Sequence, residues 1–272
     1  MLLRVAVFSL GIEQKHPGPL LVIVGPTASG KTALAIGLAK QFNGEIICAD
    51  SRTIYNGMDI GTAKPTVPER QGIPHHLLDV VSPDQPFTVA DFQKRAYQAI
   101  ADIHGRGKLP ILVGGSGLYI DAVIYNYQFN ADTKSRSQVN TRHAKEGSYQ
   151  KDQTVRDNTL IIGLVVEQDL LRDHIAERVN DMVCHGLIDE VKDLSQKYGW
   201  DISAMQAPAY KSFRAYLAGE LSLEEASALF VTADTQLAKK QRTWFKRNNS
   251  IQWVDDPSKA VDLTTTFLNK TS

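Results

Sequence analysis

The chain has only two cysteines, Cys48 and Cys184, among 272 residues. Two are too few for a disulfide framework, and nothing near either gives metal-ligand spacing, so both are expected to be reduced, structural thiols. Net charge is missing as well. Thirty Lys and Arg balance thirty Asp and Glu, so no overall field draws the protein to a polyanion, and any such contact must be a local patch. No apolar run is long enough to span a bilayer. The first ten residues are apolar but broken by Arg4, and they lack a small-residue cleavage site. Residues 1–19 are therefore read as a loose N-terminal extension, with a weak targeting segment as the alternative. A cytoplasmic protein with no membrane partner is the default that these absences leave. With 43% hydrophobic and 22% charged residues, composition and length suit one α/β core with a small appendage.

What the chain does have is Gly25-Pro26-Thr27-Ala28-Ser29-Gly30-Lys31-Thr32, set between the apolar run Leu20–Val24 and a helical pattern over 32–42. The spacing GxxxxGK[ST] fits completely, in the order strand, glycine-rich turn, helix. A loop that opens a helix offers unpaired backbone N–H groups and the positive end of the helix dipole to a phosphate. Lys31 can reach a terminal phosphate, and the Thr32 hydroxyl suits Mg²⁺. The motif does not say which phosphate compound binds.

Further along, residues 45–48 read as a second buried strand ending in Ala49-Asp50-Ser51, and ligands of parallel sheets gather at that carboxyl edge. Asp50 either lies near the phosphate site or caps the following turn, and position alone leaves both readings open. Residues 52–66 form a structured loop. His75 and His76 point opposite ways on a strand, which favours hydrogen bonding or packing over a shared metal. A helix over 88–104 has Thr88 as N-cap. Strand 109–113 ends in Gly114-Gly115-Ser116-Gly117, a second glycine-rich turn read as another wall of the same cleft.

Residues 128–158 change character: only six of these 31 are apolar, so the segment is expected to be mobile. Strand 159–166 restores regular structure, followed by helices over 167–184, 187–198 and 222–245, the last opened by the capping-box pair Ser222 and Glu225. That last helix ends in a basic cluster that includes Lys239, Arg242 and Lys246, read either as a solvated face or as a polyphosphate or nucleic-acid contact. Ile251–Val254 reads as a final strand, and Pro257 opens a terminal helix. The fold expected is α/β: a P-loop NTPase-like parallel sheet flanked by helices, its core formed by 20–127 and 159–272, with a helical C-terminal part.

Taken together, these stretches resemble the tRNA dimethylallyltransferases, also called isopentenyl transferases. The segments that carry the resemblance are Gly25 to Thr32, Ala49 to Ser51 with Tyr55, Gly57-Met-Asp-Ile-Gly-Thr-Ala-Lys64, Gly72-Ile-Pro-His-His-Leu-Leu-Asp79, Val113 to Tyr119, and Ala238 to Gln241 with Thr243 to Phe245. The resemblance implies transfer of a dimethylallyl group from dimethylallyl diphosphate to N6 of an adenosine beside a tRNA anticodon, with Mg²⁺ as cofactor, the anticodon arm as partner, and a monomeric enzyme. It further implies Asp50 as general base and Thr27 and Lys31 at the reacting diphosphate, which is cradled by Gly25, Pro26, Ala28, Ser29, Gly30 and Thr32. Ser51, Arg52, Thr53 and Ser116 are implied beside the target nucleotide.

Departures from the family pattern matter. Thr53 stands where relatives usually carry Gln. Lys211, in Ala209-Tyr210-Lys211, is the candidate late-chain cation for the diphosphate, and 128–158 stands in place of a helical insertion, as a remnant. Rival readings are an adenine-nucleotide prenyltransferase, a P-loop nucleoside or small-molecule kinase, and an inactive RNA-binding remnant.

Overall fold

A computed structural model of the protein describes residues 18–129, 149–152 and 154–271. Four buried, largely apolar runs and two short edge strands become a six-stranded sheet. The strands are β1 (Leu20–Val24), β2 (Gly44–Cys48), β3 (His75–His76), β4 (Leu109–Gly114), β7 (Thr159–Leu164) and β8 (Ile251–Val254), ordered β3-β2-β4-β1-β7-β8. Every pairing is parallel, as expected of strands apolar on both faces. A separate two-stranded antiparallel ladder joins β5 (Gln128–Phe129) to β6 (Tyr149–Gln150).

The period of two in β1 splits the core. Leu20, Val22 and Val24 face a layer holding Phe92, Ile100, Ile103, Ile120 and Val123 from α2 (Val89–Gly105) and α3 (Gly117–Ile124). Leu21 and Ile23 face the other layer, with Leu34 and Leu38 of α1 (Lys31–Gln41) and Ala260 of the terminal helix over Pro257–Thr271. Parallel pairing makes each connection a crossover, carried by helices except between β2 and β3, where residues 49–74 cross over without one, so the chain's turns accumulate at the two strand ends.

The helical C-terminal part has its own core. α4 (Gln168–Cys184), α5 (Leu187–Tyr198), α6 (Pro208–Leu217) and α7 (Leu223–Phe245) enclose Val179, Leu187, Tyr210, Phe213 and Phe230 together with Ile54 and Met58 of the loop after β2. α8 is the terminal helix, Pro257–Thr271. Thr88 and Ser222 both form complete capping boxes, with Asp91 and Glu225 reaching back.

Differences from expectation follow from local contacts. α6 is a full helix with Pro208 in its first turn, in a stretch where the sequence pattern marked no regular element. Cys48 is buried, but Cys184 is exposed at the end of α4, so only one thiol is structural. Of the N-terminal extension, residues 1–17 lie outside the described residues, while Gly18 and Pro19 accept hydrogen bonds from Arg156 and His104. Of 128–158, residues 130–148 and 153 lie outside them. Its flanks form the β5–β6 ladder, and backbone N–H groups of Asp152 and Arg156 donate to Tyr125 and Ile124. Among the described residues no helix is long and apolar enough to cross a membrane.

Candidate active site

β1 lies between β4 and β7, so the chain leaves β1 one way toward β2 and later returns to its other side. At such a reversal the loops beyond the carboxyl ends splay apart and leave a cleft. Beyond β1 lies the phosphate loop, beyond β2 Asp50 and Ser51, and beyond β4 the turn Gly115-Ser116. Gly114 allows the last two to approach, since a Cβ there would fall 2.0 Å from the Ala49 carbonyl oxygen. The Ser51 N–H then donates to Ser116 Oγ at 2.9 Å, bracing one wall against the other.

In the phosphate loop Ala28 and Gly30 take left-handed conformations, φ 60 and 84, which turn successive N–H groups toward one concavity. Ser29 Oγ is buried with no partner among the described residues, an orphan that a phosphate oxygen would satisfy. Lys31 Nζ donates to the Pro26 carbonyl at 2.6 Å. Burial pushes its pKa down to about 8, against the opposing pull of Asp50, and the nearby Arg178 lowers it further. Thr32 is exposed at the first turn of α1.

Asp50 does both things its position allows. Its Oδ1 accepts from the Arg52 N–H at 2.8 Å, capping the turn, and the carboxylate also faces Lys31. Burial raises its pKa, with Lys31, the Thr53 amide and Arg178 pulling the other way. A carboxylate held in this balance binds a proton more readily than one in water.

Arg178 is the residue the sequence reading missed. It projects from α4 and pairs with buried Asp234 of α7, while its Nε is buried without a partner among the described residues. One turn away from that pair, Ile175 and Ala238 pack with Leu171 against Ala28 of the phosphate loop. α4 and α7 thus bring a cation to the phosphate-loop side of the cleft. Lys211 is exposed on α6 and lines a cavity of about 250 Å³ with Trp200, Gln206 and Arg214, no phosphate-loop residue among its lining.

The other expected contacts divide. Ser51 and Ser116 meet in the cleft. Thr53 is buried, its Oγ1 without a partner among the described residues, and Arg52 Nη1 donates to the Ser203 carbonyl at 3.0 Å. Thr27 donates its N–H to Gln241 Oε1 at 2.7 Å. Lys239 and Lys246 are exposed and Arg242 half-buried along the end of α7.

The stretch from Asp59 to Lys64 is structural in this state. Lys64 is buried, and its Nζ donates to the Tyr55 carbonyl and to Asp59 and Asp79. Glu190 of α5 accepts from the N–H groups of Asp59, Ile60 and Gly61 and from the Tyr210 hydroxyl. These clamps lock the loop after β2 to the helical part, and so hold the turn carrying Asp50.

The IPP transferase family model matches residues 53–151 and 144–248. The tRNA dimethylallyltransferase of Oceanobacillus iheyensis is 38% identical, covering 89% of this chain and 93% of its own. That of a Thermoanaerobacter species is 40% identical, covering 87% and 92%. The first alignment runs over 290 residues, more than this chain contains, so the relative holds residues with no counterpart here. Among solved structures, the full-length tRNA isopentenylpyrophosphate transferase of Bacillus halodurans superposes with a TM-score of 0.78 at 36% identity, covering 93% of this chain and 96% of that one. A eukaryotic dimethylallyltransferase solved acting on tRNA gives 0.81 at 24% identity, which shows the shared fold.

Proposed function

The chain belongs to the IPP transferase family, and on that premise we propose that it transfers the dimethylallyl group of dimethylallyl diphosphate to N6 of an adenosine beside a tRNA anticodon. The observation that carries this reading is the cluster of Asp50, Lys31 and Arg178 in one cleft, a base of raised proton affinity beside two cations.

The reaction forms a bond between N6 and the allylic carbon and breaks that carbon's bond to oxygen, whose electron pair leaves with the diphosphate. Negative charge grows on the leaving group as it departs. The loop N–H groups, Lys31 and Arg178 are fixed in advance to receive it, so little reorganisation is needed at the moment of reaction. The N6 proton passes to Asp50, whose burial makes it a stronger base than a solvated aspartate. Thr27 and Ser29 line the loop where the diphosphate sits. Thr32 Oγ1, a neutral oxygen exposed at the first turn of α1 beside the phosphate loop, would hold Mg²⁺, which commonly takes few protein ligands beside phosphate oxygens and water. When bound it neutralises charge on the leaving diphosphate. The basic end of α7, with Lys239, Arg242 and Lys246, supplies the local patch that a neutral protein needs to hold an RNA arm.

The test is to incubate the protein with an anticodon stem-loop, dimethylallyl diphosphate and Mg²⁺ and to weigh the hydrolysed nucleosides. A dimethylallyl adduct on adenosine is expected. Phosphorylation of nucleosides from ATP, with the allylic diphosphate untouched, would replace this reading with a kinase, and preferential modification of AMP would replace the RNA substrate with a nucleotide.

A further inference from the structure

Gln241 joins the two glycine-rich turns, and its amide nitrogen takes no part in the transfer step. Asp234, Ala238 and Gln241 are spaced four and three residues apart on α7 and so share one face. Asp234 holds Arg178, Ala238 packs with the cluster against Ala28, and Gln241 bonds the phosphate loop itself. Its Oε1 accepts from the Thr27 N–H at 2.7 Å. Only the oxygen of a carboxamide can meet an N–H, so this bond settles which way round the group lies. Nε2 is therefore the end against the opposite turn, where a Cβ on Gly115 would fall 2.4 Å from it. The next residue, Ser116, holds the Ser51 N–H, and Asp50 precedes Ser51. A fixed donor, Gln241 Nε2, and a fixed acceptor, the Asp50 carboxylate, thus border the same wall.

Resting on the proposed prenyl transfer, we infer that Gln241 Nε2 reads the target base by donating to adenine N1 while Asp50 accepts from N6. A base withdrawn from a stack for chemistry is read on its Watson–Crick edge. There adenine shows a donor at N6 beside an acceptor at N1, and the Asp50 and Gln241 pair is complementary at both. Guanine shows O6 and N1–H, opposed at both, which leaves buried groups unpaired and disfavours it strongly. Thr53, buried and without a carboxamide, leaves this role to Gln241.

The experiment compares stem-loops whose target adenosine is intact, replaced by 1-deazaadenosine, or replaced by 7-deazaadenosine, using the full chain, Gln241→Glu and Gln241→Ala. Glu keeps an acceptor for the Thr27 N–H and removes the donor. For the unmodified protein, 1-deazaadenosine should lower kcat/KM about 10-fold or more, as removal of a specific base contact does, and 7-deazaadenosine should not. In both variants the ratio between adenosine and 1-deazaadenosine should fall well below that of the unmodified protein. Taking the ratio within one protein cancels the charge that Glu adds, and an intrinsic effect of the analogue on the amine would persist in the variants. Equal rates with adenosine and 1-deazaadenosine, a variant that keeps the full ratio, or sensitivity to 7-deazaadenosine instead would each overturn the inference. Failure of the function itself would look different, as no transfer to the intact adenosine by any of the three proteins.

Discussion

Glu45 and Asp50 stand at opposite ends of one strand, five residues apart in the sequence, and the protein treats them in opposite ways. Glu45, at the amino end of β2, is buried and accepts from His76, Arg106 and Lys108. Burial alone would raise its pKa, yet the hydrogen bonds from Arg106, Lys108 and His76 bring it down to about 2. Asp50, beyond the carboxyl end, is left with too few opposing charges, and burial raises it. Fully compensated, a carboxylate holds the fold together; incompletely compensated, it can take a proton from a substrate. The two edges of a parallel sheet differ because crossover loops at the carboxyl edge splay around a cleft, whereas those at the amino edge can close on their own charges.

Exchanging each carboxylate for its amide should separate the two roles. Asp50→Asn keeps the turn's acceptor, so the fold and diphosphate binding should survive while single-turnover transfer slows by ~10²-fold or more, the usual effect of losing a general base. Near-normal single-turnover rates would leave Asp50 only as a cap. Glu45→Gln should do the reverse, lowering stability by about 2 kcal/mol through loss of charged hydrogen bonds while kcat changes little. Urea unfolding beside steady-state kinetics reads both, and a large fall in kcat for Glu45→Gln would break the comparison. The pH dependence carries its own sign. Because Glu45 sits near 2 in the folded protein against a usual 4.5, its contribution is present above pH 4.5 and is lost as pH falls from 4.5 toward 2. Glu45→Gln should flatten the unfolding curve in that window.

Between the two carboxylates in effect are the cations of α7. Replacing Lys239, Arg242 and Lys246 together by Ala should weaken stem-loop binding about 10-fold at low salt and reduce its salt slope, since a phosphate that the protein no longer neutralises keeps its counterions. Transfer to free AMP, if measurable, should not change. An unaltered salt slope would remove this helix end from the RNA-binding surface.

Much of this arrangement is legible in the sequence, for a definite reason. The apolar runs of β1, β2, β4 and β7 are continuous because both faces of the sheet are covered, and Thr88 and Ser222 announce their helices because a capping box is a local pattern. His75 and His76 do turn to different partners, Ile73 and Glu45. What stays hidden depends on distance. Arg178 lies within an amphipathic helix, 147 positions beyond Lys31 in the numbering, and no local feature marks it out from the chain's other basic residues. Only the packing of α4 and α7 against Ala28 brings it in. Lys211 carries a recognisable motif position, and the side chains it shares a cavity with, Trp200, Gln206 and Arg214, come from stretches with no motif of their own. The stretch from Asp59 to Lys64 is specific to the family in sequence, but here its charges close on one another.

The smallest effect expected sets Lys31 against Glu45. Both are charged groups removed from water, and their pKa values move for opposite reasons: Glu45 is lowered because its charge is met, Lys31 because burial leaves its charge poorly met. With a folded value of about 8 against the usual 10.5, Lys31 disfavours folding below pH 8, and that cost is relieved as pH rises from 8 to 10.5, where the folded protein gives up the proton first. Lys31→Met should therefore abolish transfer yet be at least as stable as the unmodified protein at pH 7, by up to about 1 kcal/mol, as often follows when a functional charge is removed. The gap should close by pH 10.5. Urea midpoints of the two proteins at pH 7 and 10 measure it directly. If Lys31→Met is clearly less stable at pH 7, the Lys31 bond to the Pro26 carbonyl outweighs burial, and the lysine belongs with the structural charges after all.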